Sequence, residues 1–242
     1  SATLTPAGHL KESFRRRAIH AADWYLLSWN VKRLFVQSRT IQDRLRLWPS
    51  LKSQILYPPA PPRAYRCETY GDYIFLVSRL TPLKRVDLLV RAMALPAAGA
   101  IRAVIAGDGD DRARIEQLID TFKLGDRITL TGQLSDDEIL SHFAQCRAVC
   151  FPPFSEDFGF VTVEAFASRK PVITCRDSGG PAELVTDGEH GFVCEPTPEA
   201  LADALRKVMK SRDLAERMGE QAYARGAQFT WPDTVKALLG LD

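Results

Sequence analysis

From Tyr73 to Cys194, short apolar runs alternate with longer stretches of helical periodicity, and this alternation constrains the fold more than any other feature. Tyr73–Val77, Ile101–Ala106, Ile128–Leu130, Ala148–Phe151, Pro171–Cys175 and Phe192–Cys194 read as strands. Between them Val86–Ala94, Asp110–Phe122, Asp136–Cys146 (capped by Ser135) and Phe160–Ser168 read as helices. Further helices start at Pro198, Leu214 and Trp231. Continuous apolar runs without polar alternation suit strands covered on both faces, and helical crossovers make such strands parallel. The pattern therefore predicts an α/β fold: a Rossmann-like parallel sheet with helices on both faces. Ligands in such sheets bind at the carboxyl ends of the strands. The loops after Val77, Ala106, Leu130, Phe151 and Cys175 are accordingly where chemistry is sought.

The first seventy residues follow another plan. Leu10–Trp29 is helical in pattern, Val31–Val36 is a strand candidate, and Ser38 caps a predicted helix over Thr40–Leu47, with Ile41, Leu45 and Trp48 at helical spacing. A short strand, Gln54–Tyr57, runs into Pro58, Pro59, Pro61 and Pro62. Prolines at that density end a sheet and form a stiff connector, so a domain boundary is expected there.

With 32 basic and 30 acidic residues the chain points to no nucleic-acid partner. Residues 1–70 carry a net +8 and the remainder −6, but only Arg15–Arg17 form a run. A solvated face is the plain reading, and peripheral contact with the inner face of a membrane is the alternative. The five cysteines lack metal-site spacing and read as reduced thiols, in keeping with a cytoplasmic protein. No run reaches the ~18 apolar residues of a membrane span, and no signal peptide is visible. The chain opens Ser-Ala-Thr rather than with Met, which suggests a processed or truncated chain.

Four loops carry candidate chemistry. After Val77 come Arg79, Lys84 and Arg85, cations able to neutralise a diphosphate, although the same spacing suits an exposed basic turn. Gly107-Asp108-Gly109 lacks the third glycine of a dinucleotide fingerprint and carries acids that repel phosphate, so it reads as a structural turn. Between Phe151 and Glu164, Glu156 lies in a loop and Glu164 on the following helix, with the amides of Phe158–Val161 near the helix N-terminus. One carboxylate can take a sugar's hydroxyls and the other a ribose diol, while a loop acid and a helix-surface acid remain the bland reading. After Cys175, Gly179-Gly180 leaves the backbone open to a ligand or makes a flexible connector, and Pro181 fits a first helical turn.

In order, VSRLTPLKRVDLLVRAM, VIAGDGDDRARIEQL, ITLTGQLSDDEI, PFSEDFGFVTVEAFASRKPVI and SGGPAELVTDGEHGF resemble the C-terminal domain of glycosyltransferase family 4, a large family of retaining GT-B enzymes. The resemblance runs from about Val31 to the end. It implies that Arg79 and Lys84 hold the donor diphosphate, that Glu156 lies near the donor sugar, and that Glu164 bonds the ribose. It implies amides facing the donor at Phe158, Gly159, Phe160 and Val161, and a base-lining loop around Gly132, Gln133 and Leu134. It implies no metal and no other cofactor, the donor being a nucleoside-diphosphate sugar.

Residues 1–57 resemble only the closing portion of the family's acceptor-binding N-terminal domain, residues 58–70 a linker, 71–228 the donor-binding domain and 229–242 a closing helix. The expectation is thus a hexosyltransferase whose acceptor is bound by a missing domain, this chain binding donor without turnover. A non-hydrolysing sugar-nucleotide epimerase of the same layout and a non-catalytic nucleotide-sugar-binding domain are the alternatives.

Overall fold

The structure, a computed structural model, describes residues 6–46 and 52–241, and side-chain surroundings from residue 12 onward. Helix α1 (Pro6–Trp29) leads to β1 (Leu34–Val36), α2 (Arg39–Leu45) and β2 (Ser53–Ile55), and β1 and β2 pair in parallel as a small sheet of their own. Both strands are shorter than the sequence suggests. A two-stranded ribbon has no neighbour to extend its ladder, and Val31 at the head of the expected strand is exposed. Ser38 caps α2 by accepting from the Ile41 amide at 3.2 Å, as expected. Leu47, expected to end that helix, and Trp48, at its helical spacing, lie outside the described residues.

In α1 the residues Phe14, Trp24, Tyr25 and Trp29 are exposed, and Arg15 and Arg16 pair with Glu12 of the same helix. Among the described residues no helix is long and apolar enough to cross a membrane.

The main body begins with β3 (Tyr73–Val77), α3 (Val86–Ala94), β4 (Arg102–Ala106), α4 (Arg112–Thr121) and β5 (Ile128–Gly132). It continues with α5 (Asp136–Gln145), β6 (Ala148–Cys150), α6 (Phe160–Ala167), β7 (Val172–Cys175), α7 (Gly180–Leu184) and β8 (Gly191–Cys194). Three helices close the chain: α8 (Pro198–Lys210), α9 (Arg212–Gly226) and α10 (Trp231–Leu239). All six strands β3–β8 are parallel, in the order β5-β4-β3-β6-β7-β8.

The apolar runs explain this sheet. Strand side chains alternate between faces, so Ile74 and Leu76 enter one core with α3, α4 and α8, while Phe75 enters the other with Phe143 of α5 and Val163 and Phe166 of α6. A sheet covered on both sides favours apolar residues at nearly every position, and β6 and β7 are fully buried along their length, the one polar residue, Thr174, donating its hydroxyl to Phe151 O at 2.8 Å. Where caps are strong the boundaries agree with the sequence. Ser135 and Glu138 form a reciprocal capping box that starts α5, and Thr197 with Pro198 starts α8.

The proline-rich segment is pinned rather than loose. Pro59 is buried, Tyr57 packs on Phe158 and Phe229, and Trp231 Nε1 donates to the Ala60 carbonyl at 3.1 Å.

Candidate functional site

Strand order reverses between β3 and β6: from β3 the chain builds outward through β4 to β5, then returns to lay β6 on the other side. Loops leaving two such strands diverge and open a crevice at their carboxyl ends. Two cavities lie there. The larger, of 810 Å3, is bounded by the ends of β3 and β4, the Gln133-Leu134 loop and Glu164. The smaller, of 590 Å3, lies against Lys84, Phe151, the 154–157 turn and Gly159. They share Ser78, Arg79 and Val161. Arg79 is exposed, and among the described residues its side chain has no hydrogen-bond or ion-pair partner.

The smaller cavity is held by charge. Lys84, at the end of a 3-10 turn begun by Pro82, forms an ion pair with Glu156. The next residue, Arg85, adopts φ 49°, so its side chain turns away from Lys84's path. Its guanidinium donates to Pro152 O and Pro153 O (2.8 and 2.7 Å) and grips both carboxylate oxygens of Asp177 at 2.8 and 2.7 Å. One side chain thereby ties together the loops after β3, β6 and β7.

The Glu156 turn also lies backbone-to-backbone on the loop after β7. Ser155 N donates to Asp177 O at 2.8 Å, Glu156 N to Ser178 O at 3.0 Å, and Gly180 N to Glu156 O at 2.9 Å. A Cβ at Gly179 would stand 2.4 Å from Glu156 O, and one at Gly180 2.5 Å from Phe158 O. These glycines are therefore required by close packing, and a flexible connector is excluded as their role.

The larger cavity is shaped by backbone and burial. Gly107 and Gly109 let the β4 turn approach the β3 loop, where a Cβ would meet Ser78 O at 1.9 Å and Leu80 O at 2.3 Å respectively. The Gly107-Asp108-Gly109 turn is structural, as expected, and it lines the cavity as well. Glu164 is no surface acid: it is 9% exposed, and its carboxylate accepts from Tyr65 Oη at 3.1 Å and Arg63 at 3.4 Å. Burial pushes the Glu164 carboxyl above the ordinary glutamate range, with the Tyr65 hydrogen bond and the Arg63 charge opposing that rise. Arg63 also pairs with Asp136 at 3.3 Å.

The structure thus gathers Arg79, Lys84, Glu156, Gly159, Phe160 and Val161 along one cavity, and Gln133, Leu134 and Glu164 along the other. Two expected residues line neither. Phe158 is buried in the core, and Gly132 accepts from Gly107 N at 2.7 Å, bracing the turn behind the cavity. At the start of α6 the amides of Phe160 and Val161 have no protein acceptor among the described residues. Tyr65 and Arg63 were missed by sequence reasoning because they stand in what reads as a plain connector; the signal was a Tyr and an Arg just beyond a stiff proline run.

Among the described residues no group of three or more His, Cys, Asp or Glu side chains is arranged to hold a metal ion. All five cysteines are free thiols, and Cys146, Cys150 and Cys175 are buried.

The family described as Glycosyl transferases group 1 matches residues 66–225, a span that contains both cavities except Arg63. The chain belongs to the group 1 glycosyl transferases. Among relatives of this family, a D-inositol 3-phosphate glycosyltransferase of Nocardia farcinica is 32% identical over 212 residues, 82% of this chain and 47% of the relative. The chain spans about half the length of the curated relatives it matches.

Among solved structures, the sucrose-phosphate synthase of Thermosynechococcus elongatus superposes with a TM-score of 0.79 at 24% identity, covering 90% of this chain and 59% of that one. Anabaena HepE, solved with UDP and glucose, superposes with a TM-score of 0.76 at 21% identity, covering 87% and 62%. At these identities the likeness concerns the fold, which is that of GT-B glycosyltransferases.

Proposed function

We propose that this chain is the donor-binding half of a retaining GT-B glycosyltransferase of family 4, transferring a hexose from a nucleoside-diphosphate sugar to an acceptor held by further chain. In this reading residues 1–57 are the closing part of the acceptor-binding domain and 58–70 the joining segment. Residues 71–228 bind the donor, and 229–242 return toward the first domain.

The observation that carries the reading is the pair of cavities meeting at an exposed Arg79 that has no partner among the described residues. A nucleoside-diphosphate sugar has the same plan, two bulky polar groups joined by a dianionic bridge. The larger cavity takes the nucleoside, with Glu164 accepting from the ribose diol and Gln133-Leu134 beside the base. The bridge lies at Arg79 and the Phe160 and Val161 amides, where the helix N-terminus adds positive potential. The sugar enters the smaller cavity, where Glu156 orients its hydroxyls. That UDP and glucose are bound by the HepE structure supports a nucleotide sugar here.

As the anomeric C–O bond breaks, negative charge grows on the departing diphosphate. Lys84, held by Glu156, and the α6 amides are in place before the reaction begins, and the exposed Arg79 adds its charge on contact with the diphosphate, so no metal is needed. Because Lys84 is ion-paired to Glu156, the cation for the phosphates and the acceptor for the sugar are held as one unit. The acceptor enters on the face the diphosphate leaves, which retains the anomeric configuration. Glu156 orients the sugar and is not a covalent nucleophile. This chain alone binds donor without completing transfer.

Calorimetric titration with UDP, GDP and ADP tests the reading. One nucleotide is expected to bind selectively, and Arg79→Ala to weaken it by roughly 30-fold, the worth of a lost charge-assisted phosphate contact. A folded chain that binds none of the three at millimolar concentration would count against the assignment.

A further inference from the structure

The Glu156 turn is held from a second side that lies outside the main sheet. Arg44, in the last turn of α2, donates to Ser155 O at 2.7 Å and Ser155 Oγ at 3.0 Å, and forms an ion pair with Asp157. These residues flank Glu156 on either side and line the smaller cavity with it.

Helix α2 is itself anchored at its other end. The Glu183 carboxylate of α7 accepts from the Arg39 and Thr40 amides at 2.7 and 2.8 Å and from Thr40 Oγ1 at 2.7 Å, satisfying the open amides of the α2 N-terminus from another part of the fold. The α2 helix is therefore a strut, fixed on α7 at one end and gripping the Glu156 turn at the other.

The grip has something to hold. Ser155 adopts φ 49°, a left-handed conformation that disfavours side chains other than glycine and persists only where surrounding contacts impose it. From the sheet side the imposing contacts are Ser155 N to Asp177 O and Glu156 N to Ser178 O. From the α2 side the Ser155 carbonyl and hydroxyl are both taken by Arg44. An exposed ion pair alone contributes little, but a guanidinium that fixes the carbonyl of a strained residue sets the direction in which the next side chain leaves the backbone. That next side chain is Glu156.

We propose that Arg44 is a positioning residue for the donor sugar, acting across the proline-rich segment by holding the Ser155–Asp157 turn that presents Glu156. The proposal rests on the reading of the two cavities as one donor site. It separates the ligand's two halves: Arg44 bears on the sugar end and has no contact with the nucleoside end. It also makes sugar affinity answer to the N-terminal part of the chain, because a movement of α2 away from α7 would release the turn.

The test compares a nucleoside diphosphate with its sugar conjugate, UDP against UDP-glucose and GDP against GDP-mannose, by calorimetry on the whole chain. Wild type, Arg44→Ala, Arg44→Lys and Arg46→Ala are compared, each checked for folding by its thermal transition. Among the described residues Arg46 pairs with Asp43 on its own helix and with no residue of the turn, so Arg46→Ala removes the same charge nearby without touching the turn.

Arg44→Ala is expected to leave the diphosphate's Kd within about twofold and to weaken the sugar conjugate about five- to tenfold, the equivalent of about one ordinary hydrogen bond. Arg44→Lys, which can reach one acceptor but not bridge several, falls between, and Arg46→Ala matches wild type. Equal loss for both ligands, no loss for either, or the same loss with Arg46→Ala would overturn the proposal. If Arg44→Ala does not fold, the Arg44→Lys ratio decides in the same way. A wild type that binds the conjugate no differently from the diphosphate overturns the sugar-facing role, whereas a wild type that binds neither removes the donor-site reading itself.

Discussion

The two cavities that meet at Arg79 are built by opposite means. The larger is shaped by close backbone approach, Gly107 and Gly109 against the β3 loop, and by a buried carboxylate held by a neutral phenol and one guanidinium. The smaller is assembled from side-chain charges that reach across loops: Lys84 to Glu156, Arg85 to Asp177, Arg44 to Asp157. Ser155 in its lining and Arg85 behind it sit in left-handed backbone. Backbone packing gives a wall that resists rearrangement, suited to a constant group such as a nucleoside. Charged struts give a wall that can be rearranged at modest cost, suited to the part of a ligand that must change during reaction.

If the larger cavity is set by backbone approach, its glycines should be the least tolerant positions. Gly107→Ala puts a methyl group 1.9 Å from a carbonyl oxygen at φ 129°, and a stability loss of about 3–4 kcal/mol is expected in denaturant titration. Gly125→Ala, with open space and ordinary backbone, should be near neutral. Equal tolerance of the two would break the contrast.

For the charged wall, Arg85→Ala leaves Asp177 and two carbonyls without their partner, and a loss of about 2–3 kcal/mol is expected. Arg85→Lys should recover little, since a single ammonium cannot span three loops. Full recovery by lysine would mean that charge alone matters there.

A smaller effect concerns Glu164. Its carboxyl lies above the ordinary value of 4.5 because it is buried, so as pH falls it takes up a proton earlier than an exposed glutamate and loses the charge that would favour the proposed ribose contact. Nucleotide affinity should therefore decline on acidification from a pH above 4.5, and Glu164→Gln should bind a few-fold more weakly with that decline absent. A variant that keeps the wild-type pH profile would move the titration elsewhere.

The smallest effect expected is at Tyr65. Its hydroxyl favours the charged form of Glu164, so Tyr65→Phe should shift the decline to still higher pH, with a stability cost of about 1 kcal/mol. A shift to lower pH would contradict the assigned direction.

Much of this architecture was legible in the residues. The central strands β3, β6 and β7 announced themselves because burial on both faces leaves few polar positions, and α5 was fixed by the Ser135 and Glu138 box. The site was legible as loops and residue types, but not as relations between them. Spacing could not distinguish Arg79, which has no partner among the described residues, from Arg85, which is spent on Asp177, because pairing depends on a loop 92 residues away. Nor could it tell whether Glu164 is a surface acid, since that turns on Tyr65 and Arg63 folding back from the connector. The glycines after β7 could be read as backbone open to a ligand or as a flexible connector, and their cause, contact with the Glu156 turn, is a tertiary fact. In the first seventy residues the strands were overestimated because only one partner strand is there to pair with.

The central claim is that the two cavities are the two ends of one donor site. A crystal structure of the chain with the nucleotide sugar it prefers tests this most directly. The account predicts the nucleoside beside Glu164 and Gln133, the diphosphate against Arg79 and the Phe160 and Val161 amides, and the sugar beside Glu156. A ligand in the reverse orientation, or one bound with its diphosphate away from Arg79, would contradict it.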